Sequence, residues 1–294
     1  MTEAAIAPAP TAEAGGDAAG AALHSANCGF TVHRTGQLEY GFAAEGRQFA
    51  VDLVGYLNQA QRGTISTYLY EEVFGAQDRL HWFVHMRSPH DYQRLLHMVD
   101  HDREYQDIST LDRLPGKGGG NWERMFTPGT FAERVLCPQH GFGHPPAGAV
   151  DPARVFADPA CYQTAQPPEL QLTTASAGAV IVRTGKARYE LREQCRYFAV
   201  QWADHVNTAL PGIVTAFLYE EIFGRQDTLH WLIHLRHLDD YGRLVDLGRD
   251  PRYQELMTVE RVPAGLGGGG WGSLFVPGTL HDTVLVPYPA AGSA

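Results

Sequence analysis

Two pairs of histidines, each spaced four residues apart, are the side chains of this sequence best suited to chemistry. His81 and His85 lie in one run of strand-forming residues, and His230 and His234 lie in another. Because successive strand residues point to opposite faces, the members of each pair share one face. That shared face makes the four imidazoles candidates for one interior site.

A glutamate on the preceding predicted strand accompanies each pair. If Phe74 pairs with Arg79 across the hairpin, Glu72 lies directly opposite His81, with Cβ atoms about 4.5–5.5 Å apart. A carboxylate beside an imidazole fixes its tautomer and raises its basicity, which suits acid–base catalysis near neutral pH. We predict two such dyads as catalytic groups, Glu72–His81 and Glu221–His230.

Two other interpretations of the histidines stay open. They could be buried structural residues satisfied by neighbouring Glu and Tyr side chains. They could also hold a transition metal or haem, with His81, His85, His230 and His234 as candidate ligands. Residues four apart in a strand are separated by about 13 Å, so any metal would also need ligands from other strands. No cofactor is predicted outright, and metal or haem is the alternative.

Aromatic and basic side chains on the same strand faces predict a binding surface for a small molecule. The rings would stack on an aromatic ligand, and the arginines would hold a carboxylate or enolate. These predicted substrate-binding residues are Tyr68, Tyr70, Phe83, His85, Arg87, Tyr219, His234 and Arg236. The alternative for both arginines is an ion pair at the mouth of a barrel.

An internal repeat with an offset of 149 residues is the strongest signal in the sequence. Residues 70–75, Tyr-Glu-Glu-Val-Phe-Gly, recur as Tyr-Glu-Glu-Ile-Phe-Gly at 219–224. The same offset carries Leu80-His81-Trp82 onto Leu229-His230-Trp231 and Trp122 onto Trp271. One register over about 100 residues indicates a tandem duplication, and a repeat sets the fold before anything else.

Each copy has the strand and helix order βαββαβ of a ferredoxin-like unit. The predicted first-copy strands are Thr31–Tyr40, Thr64–Phe74, Leu80–Arg87 and Trp122–Phe126, and the predicted helices are Arg47–Ala60 and Asp91–Tyr105. One face of the third strand is wholly apolar and should pack under the helices, while the other carries histidine and aromatic residues. Two sheets can bury those second faces against each other. We predict an α+β fold of two tandem modules packed sheet to sheet as an intramolecular pseudo-dimeric α/β barrel.

Composition supplies the boundaries and excludes several protein classes. We predict a disordered tail at 1–27, modules at 28–137 and 178–288, a Pro- and Ala-rich linker at 138–177, and a tail at 289–294. A net charge of −10 argues against nucleic-acid and anionic-lipid partners. No apolar run approaches the roughly 18–20 residues of a membrane span. Four scattered cysteines indicate a reduced, cytoplasmic protein. We expect a monomer or weak homodimer.

The segments Tyr70–Tyr105 and Tyr219–Tyr253 resemble the NIPSNAP group of the dimeric α/β-barrel superfamily. The shared pattern is a strand, a Gly-containing turn, a strand with His and Trp, and a helix ending as in Asp250-Pro251-Arg252-Tyr253. That superfamily includes cofactor-independent antibiotic-biosynthesis monooxygenases and haem proteins of the chlorite-dismutase type.

The resemblance and the inward-facing dyads together predict a small-molecule enzyme of specialised, aromatic or polyketide-like metabolism. Proton abstraction by a dyad would lead to oxygenation or rearrangement, as in a monooxygenase, isomerase or cyclase without a cofactor. The alternatives are a metal- or haem-dependent oxidoreductase and a non-catalytic small-ligand-binding protein. One half could hold the active site while the other serves as scaffold.

Overall fold

Eight antiparallel strands close into one barrel in the computed structural model, which describes residues 22–141 and 155–288. Around the barrel the strands follow the order β1-β3-β2-β8-β5-β7-β6-β4. The strands are β1 Phe30–Gln37, β2 Ile65–Val73, β3 Arg79–Met86, β4 Ala132–Pro138, β5 Ala179–Lys186, β6 Val214–Ile222, β7 Thr228–Leu235 and β8 His281–Pro287. Six α-helices accompany them: α1 Ala43–Ala60, α2 Pro89–His101, α3 Arg103–Thr110, α4 Arg192–Ala209, α5 Tyr241–Asp246 and α6 Pro251–Thr258.

The strands of the two halves fall at the spacing of the sequence repeat. Each of β1 to β4 has a counterpart that begins and ends 149 residues later, among β5 to β8. Two seams join the halves, where β2 pairs with β8 and β4 pairs with β6. The closed barrel has no free sheet edge, so each half completes the other.

Three hydrophobic clusters hold the layers together. In the first half, Leu80, Trp82, Val84 and Met86 pack against the buried face of α1, which confirms the predicted helix-facing side of the third strand. The second half repeats this arrangement around α4. A smaller third cluster, which includes Tyr70 and Tyr219, fills the middle of the barrel interior.

The predicted last strand of each copy is wrong. Trp122–Arg124 and Trp271–Ser273 form 3-10 turns, and the true strands β4 and β8 begin about ten residues later. Trp122 stacks on Phe49 of α1, with ring centroids 6.2 Å apart, because it belongs to the helix–sheet core. The sequence pattern does not predict β4, because this strand begins with exposed residues that give no apolar alternation.

The predicted second helix of each copy is interrupted. In the first half it ends at His101, and α3 restarts after Asp102, whose side chain accepts a hydrogen bond from Tyr105 N at 2.9 Å. In the second half Asp250 caps α6 in the same way, ahead of Pro251. An aspartate at an N-cap satisfies an amide that the helix leaves without a partner, so a new helix starts there.

The β2–β3 hairpin register differs from the predicted one by two residues. Tyr70, rather than Glu72, lies opposite His81, and Ser66, rather than Tyr68, lies opposite His85. Phe74 and Asp78 adopt positive φ angles of 59° and 56°, which lets the loop close over a wider span. A slip of two keeps every side chain on its predicted face. Glu72 and His81 therefore remain diagonal neighbours inside the barrel.

Within the described residues, none of the helices has the length and apolar character needed to cross a membrane.

Candidate active site

Both hairpin loops lie at the same end of the barrel. Every neighbouring pair of strands is antiparallel, so β2 and β6 run in the same direction. The loops 74–78 and 223–227 that follow them therefore meet at one opening, which we call the hairpin end. Inside this end lie both predicted glutamates and two of the four predicted histidines.

A chain of three side chains occupies the first half of the hairpin end. His81 Nε2 lies 3.3 Å from Glu72 Oε2, and His81 Nδ1 lies 3.0 Å from His33 Nε2. The His33 ring stacks on Phe83, with ring centroids 4.5 Å apart. Its remaining nitrogen, Nδ1, is buried and has no hydrogen-bond partner among the described residues. The chain thus ends on an imidazole nitrogen with nothing to bond.

The second half carries a related but looser arrangement. His230 Nδ1 lies 3.0 Å from the Thr184 hydroxyl, and His230 Nε2 lies 3.5 Å from Glu221 Oε2. Neither Nε2 nor Oε2 makes a hydrogen bond within the part of the chain that the structure describes. The two predicted dyads are therefore brought together in both halves, but only the first is continued by a second imidazole.

The hairpin loops hold the two glutamates in place. Glu72 Oε1 accepts the backbone N–H of Ala76 at 2.8 Å, and Glu221 Oε1 accepts that of Arg225 at 2.8 Å. A Cβ at Gly75 would overlap the Glu72 carboxylate, and one at Gly224 would overlap Glu221. The repeated Glu-x-Phe-Gly motif thus encodes a carboxylate anchored by the loop behind it.

Replacing Gly75 by alanine is therefore expected to displace Glu72 from His81. The loss of the hydrogen bond from Ala76 N to Glu72 should cost about 0.5–1.5 kcal/mol of folding free energy. The measurements are urea unfolding and the ¹⁵N chemical shifts of the His81 ring, which report its tautomer. Gly55→Ala is the matched control, because a Cβ there meets nothing within 4 Å and lies inside α1. An unchanged His81 spectrum in Gly75→Ala would contradict the anchoring role of the loop.

Burial and neighbouring charges set the protonation of these groups. Burial acts to raise the pKa of Glu72 and Glu221, but the nearby histidines and loop amides outweigh it, so both carboxyl pKa values lie below the ordinary range. Burial lowers the pKa of His81 and His230, and the glutamates only partly offset it. The pKa of His33 lies well below its usual value, first through burial and then through His81 and Arg134. At neutral pH the site therefore holds ionised carboxylates and neutral imidazoles.

His33 and Arg134 are site residues that the sequence analysis missed. Arg134 on β4 lies directly opposite His33 on β1 and shares the inward face of Leu136. At the repeat offset the second half has Val182 and Thr283 instead. The missed signal was this departure from the repeat, since a polar residue at a barrel-facing position of one copy only is not required by the shared fold.

His85 and His234 lie away from the dyads, so the four histidines do not share one cavity. His85 Nε2 lies 2.8 Å from the Thr174 hydroxyl, and its Nδ1 lies 3.0 Å from that of Thr31. His234 Nε2 lies 2.9 Å from the Ser25 hydroxyl, and its Nδ1 donates to Thr215 O at 3.1 Å. Both rings use both nitrogens in bonds within the fold.

Two segments, residues 23–28 and 172–177, fill the barrel at the end opposite the hairpins, and we call them the plug segments. They exchange bonds with each other, since Ser25 N donates to the Thr174 hydroxyl and Thr174 N donates to that of Ser25, each at 3.1 Å. The structured residues 22–27 correct the predicted tail boundary at residue 27, and residues 172–177 are built into the barrel although they were predicted to be linker. The predicted tail segments 1–21 and 289–294, and linker residues 142–154, lie outside the described residues.

The predicted aromatic binding residues also have partners within the fold. Tyr70 OH donates to Thr174 O at 2.8 Å, and Tyr219 OH donates to Ser25 O. Tyr68 OH donates to Leu23 O at 3.0 Å. The hydroxyl groups around the plug segments are thus bonded within the fold, and a role of these rings in substrate binding stays a prediction.

The two predicted binding arginines are at the plug end, away from the dyads. Arg87 Nη1 donates to Gly63 O at 2.7 Å, in the turn before β2. Arg236 lies beside Gly212 in the equivalent turn. Each follows the last residue of its strand, so it lies at the end opposite to the hairpin loops.

The four histidines do not fit a shared metal centre. Within residues 22–141 and 155–288, no three His, Cys, Asp or Glu side chains are arranged to hold a metal ion. His85 and His234 would have to give up hydrogen bonds to offer a nitrogen. The four candidate histidines are therefore not brought together as one ligand set, and a metal or haem stays the alternative.

Sequence comparison assigns the chain to a family. A single family model matches residues 1–292. The chain belongs to DUF6039, a family of unknown function. Among proteins of curated function, none matches this DUF6039 sequence.

Solved structures with similar folds cover nearly the whole DUF6039 chain. A candidate monooxygenase from Fusobacterium nucleatum aligns over 91% of this chain and 97% of its own, with 5% identity and a TM-score of 0.54. A second, from Lactobacillus acidophilus, aligns over 88% and 94%, with 8% identity and a TM-score of 0.51. An anthrone oxidase-like protein aligns over 92% and 96%, with 8% identity and a TM-score of 0.48. At such low identity, the first two likenesses establish the fold.

Proposed function

We propose that this protein is an enzyme that removes a proton from a small organic molecule, in a reaction that leads to oxygenation or rearrangement. One observation carries the proposal: the chain Glu72–His81–His33 ends on a buried imidazole nitrogen that has no partner among the described residues. Buried polar atoms without partners are rare in folded proteins and point to a functional role or a bound molecule.

The order of bonds determines which atom accepts the proton. An ionised Glu72 only accepts, so His81 donates from Nε2 and its Nδ1 must accept. His33 then donates from Nε2, which leaves the lone pair on His33 Nδ1 available. When Nδ1 takes a proton, His33 can pass its Nε2 proton to His81, beside the Glu72 carboxylate. The positive charge is thereby moved to a position next to an anion.

Arg134 and the second half supply the complementary charge. The guanidinium of Arg134 lies opposite His33, at the seam with β6 that carries Glu221. A fixed cation next to the point of deprotonation stabilises an enolate or phenolate as it forms. Because the second half lacks a counterpart of His33, deprotonation belongs to the first half, and Glu221–His230 assists.

The fold supports the finer features of the proposal without establishing them. The two candidate monooxygenases have the same barrel, and fold likeness alone does not fix a reaction. Aromatic or polyketide-like substrates, a monooxygenase- or isomerase-type outcome and the NIPSNAP relationship are part of what we propose. A reaction without a metal cofactor is likewise part of the proposal, and the test below separates it from the metal- or haem-dependent alternative.

The test is a turnover screen on untagged protein with aromatic substrates that carry an acidic CH₂ beside a carbonyl. Oxygen uptake and product spectra are recorded together with metal content and the visible absorption spectrum. We expect wild type and the surface control His97→Asn to turn over one substrate class, and Glu72→Gln and His81→Asn to lose most of that activity. A stoichiometric metal or Soret band lost on His81→Asn would overturn the proposal in favour of redox chemistry. Ligand binding unchanged by either substitution, without turnover, would indicate a binding protein.

A further inference from the structure

A cleft of about 560 Å³ lies against Glu221, at the seam where β4 meets β6. Its walls are the start of α4, the β6–β7 hairpin and the residues that follow β4. The described residues that line it are Gln139, Gly141, Arg192, Arg196, Glu220, Glu221, Ile222, Phe223, Gln226 and Asp227. Its volume is within the range of small-ligand pockets, about 300–1,000 Å³.

The two arginines in this cleft differ in how they are engaged. Arg196 pairs with Glu220 and with Asp227, the latter at 3.1 Å. The first half repeats that network with Arg47, Glu71 and Asp78. Because both halves have the network, it serves the fold. The guanidinium of Arg196 is already paired with two carboxylates, so we do not assign it to a ligand.

Arg192 is engaged differently from Arg196. Its guanidinium lies over the Tyr189 ring, 4.6 Å from the centroid, and it makes no ion pair within the described part of the chain. At the repeat offset the first half has Ala43. The shared architecture therefore does not require an arginine here.

Phe223 gives the cleft an apolar wall. The residue is 79% exposed and has a φ of 55°, and Phe74 repeats both features in the first half, so they belong to the shared hairpin. On the inner side, Glu221 Oε2 is buried 3.5 Å from His230 Nε2 and faces the barrel interior. A cation and an exposed ring thus border the cleft, with the Glu221 residue behind them.

We propose that this cleft binds an aromatic acid. The carboxylate would pair with Arg192, and the ring would pack on Phe223. The inference rests on the proposed function in naming its substrate class, since Glu221 belongs to both the cleft and the interior site. Charged hydrogen bonds at a partly enclosed site are the stronger kind.

The test is a fluorescence titration of the full chain with 3-hydroxy-2-naphthoate, a ring acid with a neighbouring hydroxyl. 2-Naphthol is the matched probe without the carboxylate. Arg192→Ala installs the residue that the first half already has, and should weaken naphthoate binding at least about tenfold. Binding of 2-naphthol should change less than about twofold, because the lost interaction is with the carboxylate. Arg249→Ala, which removes an exposed arginine elsewhere, should match wild type.

Equal naphthoate affinity in Arg192→Ala and Arg249→Ala, or no saturable binding by wild type, would overturn the inference. The variant His81→Asn separates it from the proposed function. If His81→Asn binds naphthoate like wild type, and wild type turns over no substrate, the binding cleft is supported and the enzyme proposal fails. If wild-type turnover is lost in His81→Asn while naphthoate affinity is unchanged in Arg192→Ala, the enzyme proposal is supported and the binding cleft fails.

Discussion

Replacing His33 by alanine is expected to lower turnover by about 10²–10⁴-fold, the usual contribution of a positioned acid or base. His33 ends the hydrogen-bonded chain from Glu72, and its Nδ1 is the buried atom left without a partner. Loss of the ring would remove the proton acceptor while Glu72 and His81 stay in place. The measurement is steady-state kinetics on the substrate class found in the screen, with kcat and KM reported separately.

The repeat provides a matched control for this prediction. Val182 stands where His33 would be in the second half and is equally buried. Val182→Ala removes a similar layer of barrel packing but no titratable group, so kcat should stay within about threefold of wild type. Similar kcat losses in both variants would show that barrel packing, rather than the proton acceptor, controls turnover. His33→Gln tests the same point without a large cavity, since it keeps a polar side chain but not a base.

Strand alternation and the 149-residue repeat predicted much of the barrel correctly. The faces of β3 came out as expected, and Glu72 met His81 although the hairpin register was off by two residues. Alternation decides the face, and a slip of two leaves the face unchanged. The register of the hairpin depends on the conformation of its loop, in which Phe74 and Asp78 have positive φ angles. No local sequence pattern predicts those two φ angles.

The elements that the sequence did not predict depend on tertiary contacts. The predicted disordered tail includes residues 23–27, yet they are ordered because Ser25 bonds to Thr174 and His234 inside the barrel. His33 has Val182 as its counterpart, so the pattern that the two copies share does not mark it. A duplicated chain can place chemistry where the copies differ, because the shared fold does not require those residues.

Acidification is expected to destabilise the protein well before its carboxylates are protonated. Burial lowers the pKa of His234 to about 4 and that of His85 well below its ordinary value. Between the unfolded-state pKa of about 6.5 and the lower folded-state pKa, these imidazoles are protonated in the unfolded chain but neutral in the folded chain. Stability is therefore complete above about pH 6.5 and is lost as the pH falls toward 4. The titration of His234 alone should cost about 2 kcal/mol by pH 5, and that of His85 acts in the same direction.

Those losses are large beside the usual 5–15 kcal/mol of a folded domain. Urea unfolding followed by circular dichroism at pH 7.5, 6.5, 5.5 and 5.0 would measure them. His234→Gln keeps a polar side chain in contact with the plug segment but cannot titrate, so its unfolding free energy should fall by about 2 kcal/mol less over that range. His97→Gln, on the exposed face of α2, is the matched surface substitution. An unfolding free energy that stays constant between pH 7.5 and 5.0 would contradict this prediction. It would mean that the buried imidazoles are protonated without loss of folding free energy. The contacts between the plug segments and the barrel would then be looser than their hydrogen bonds imply.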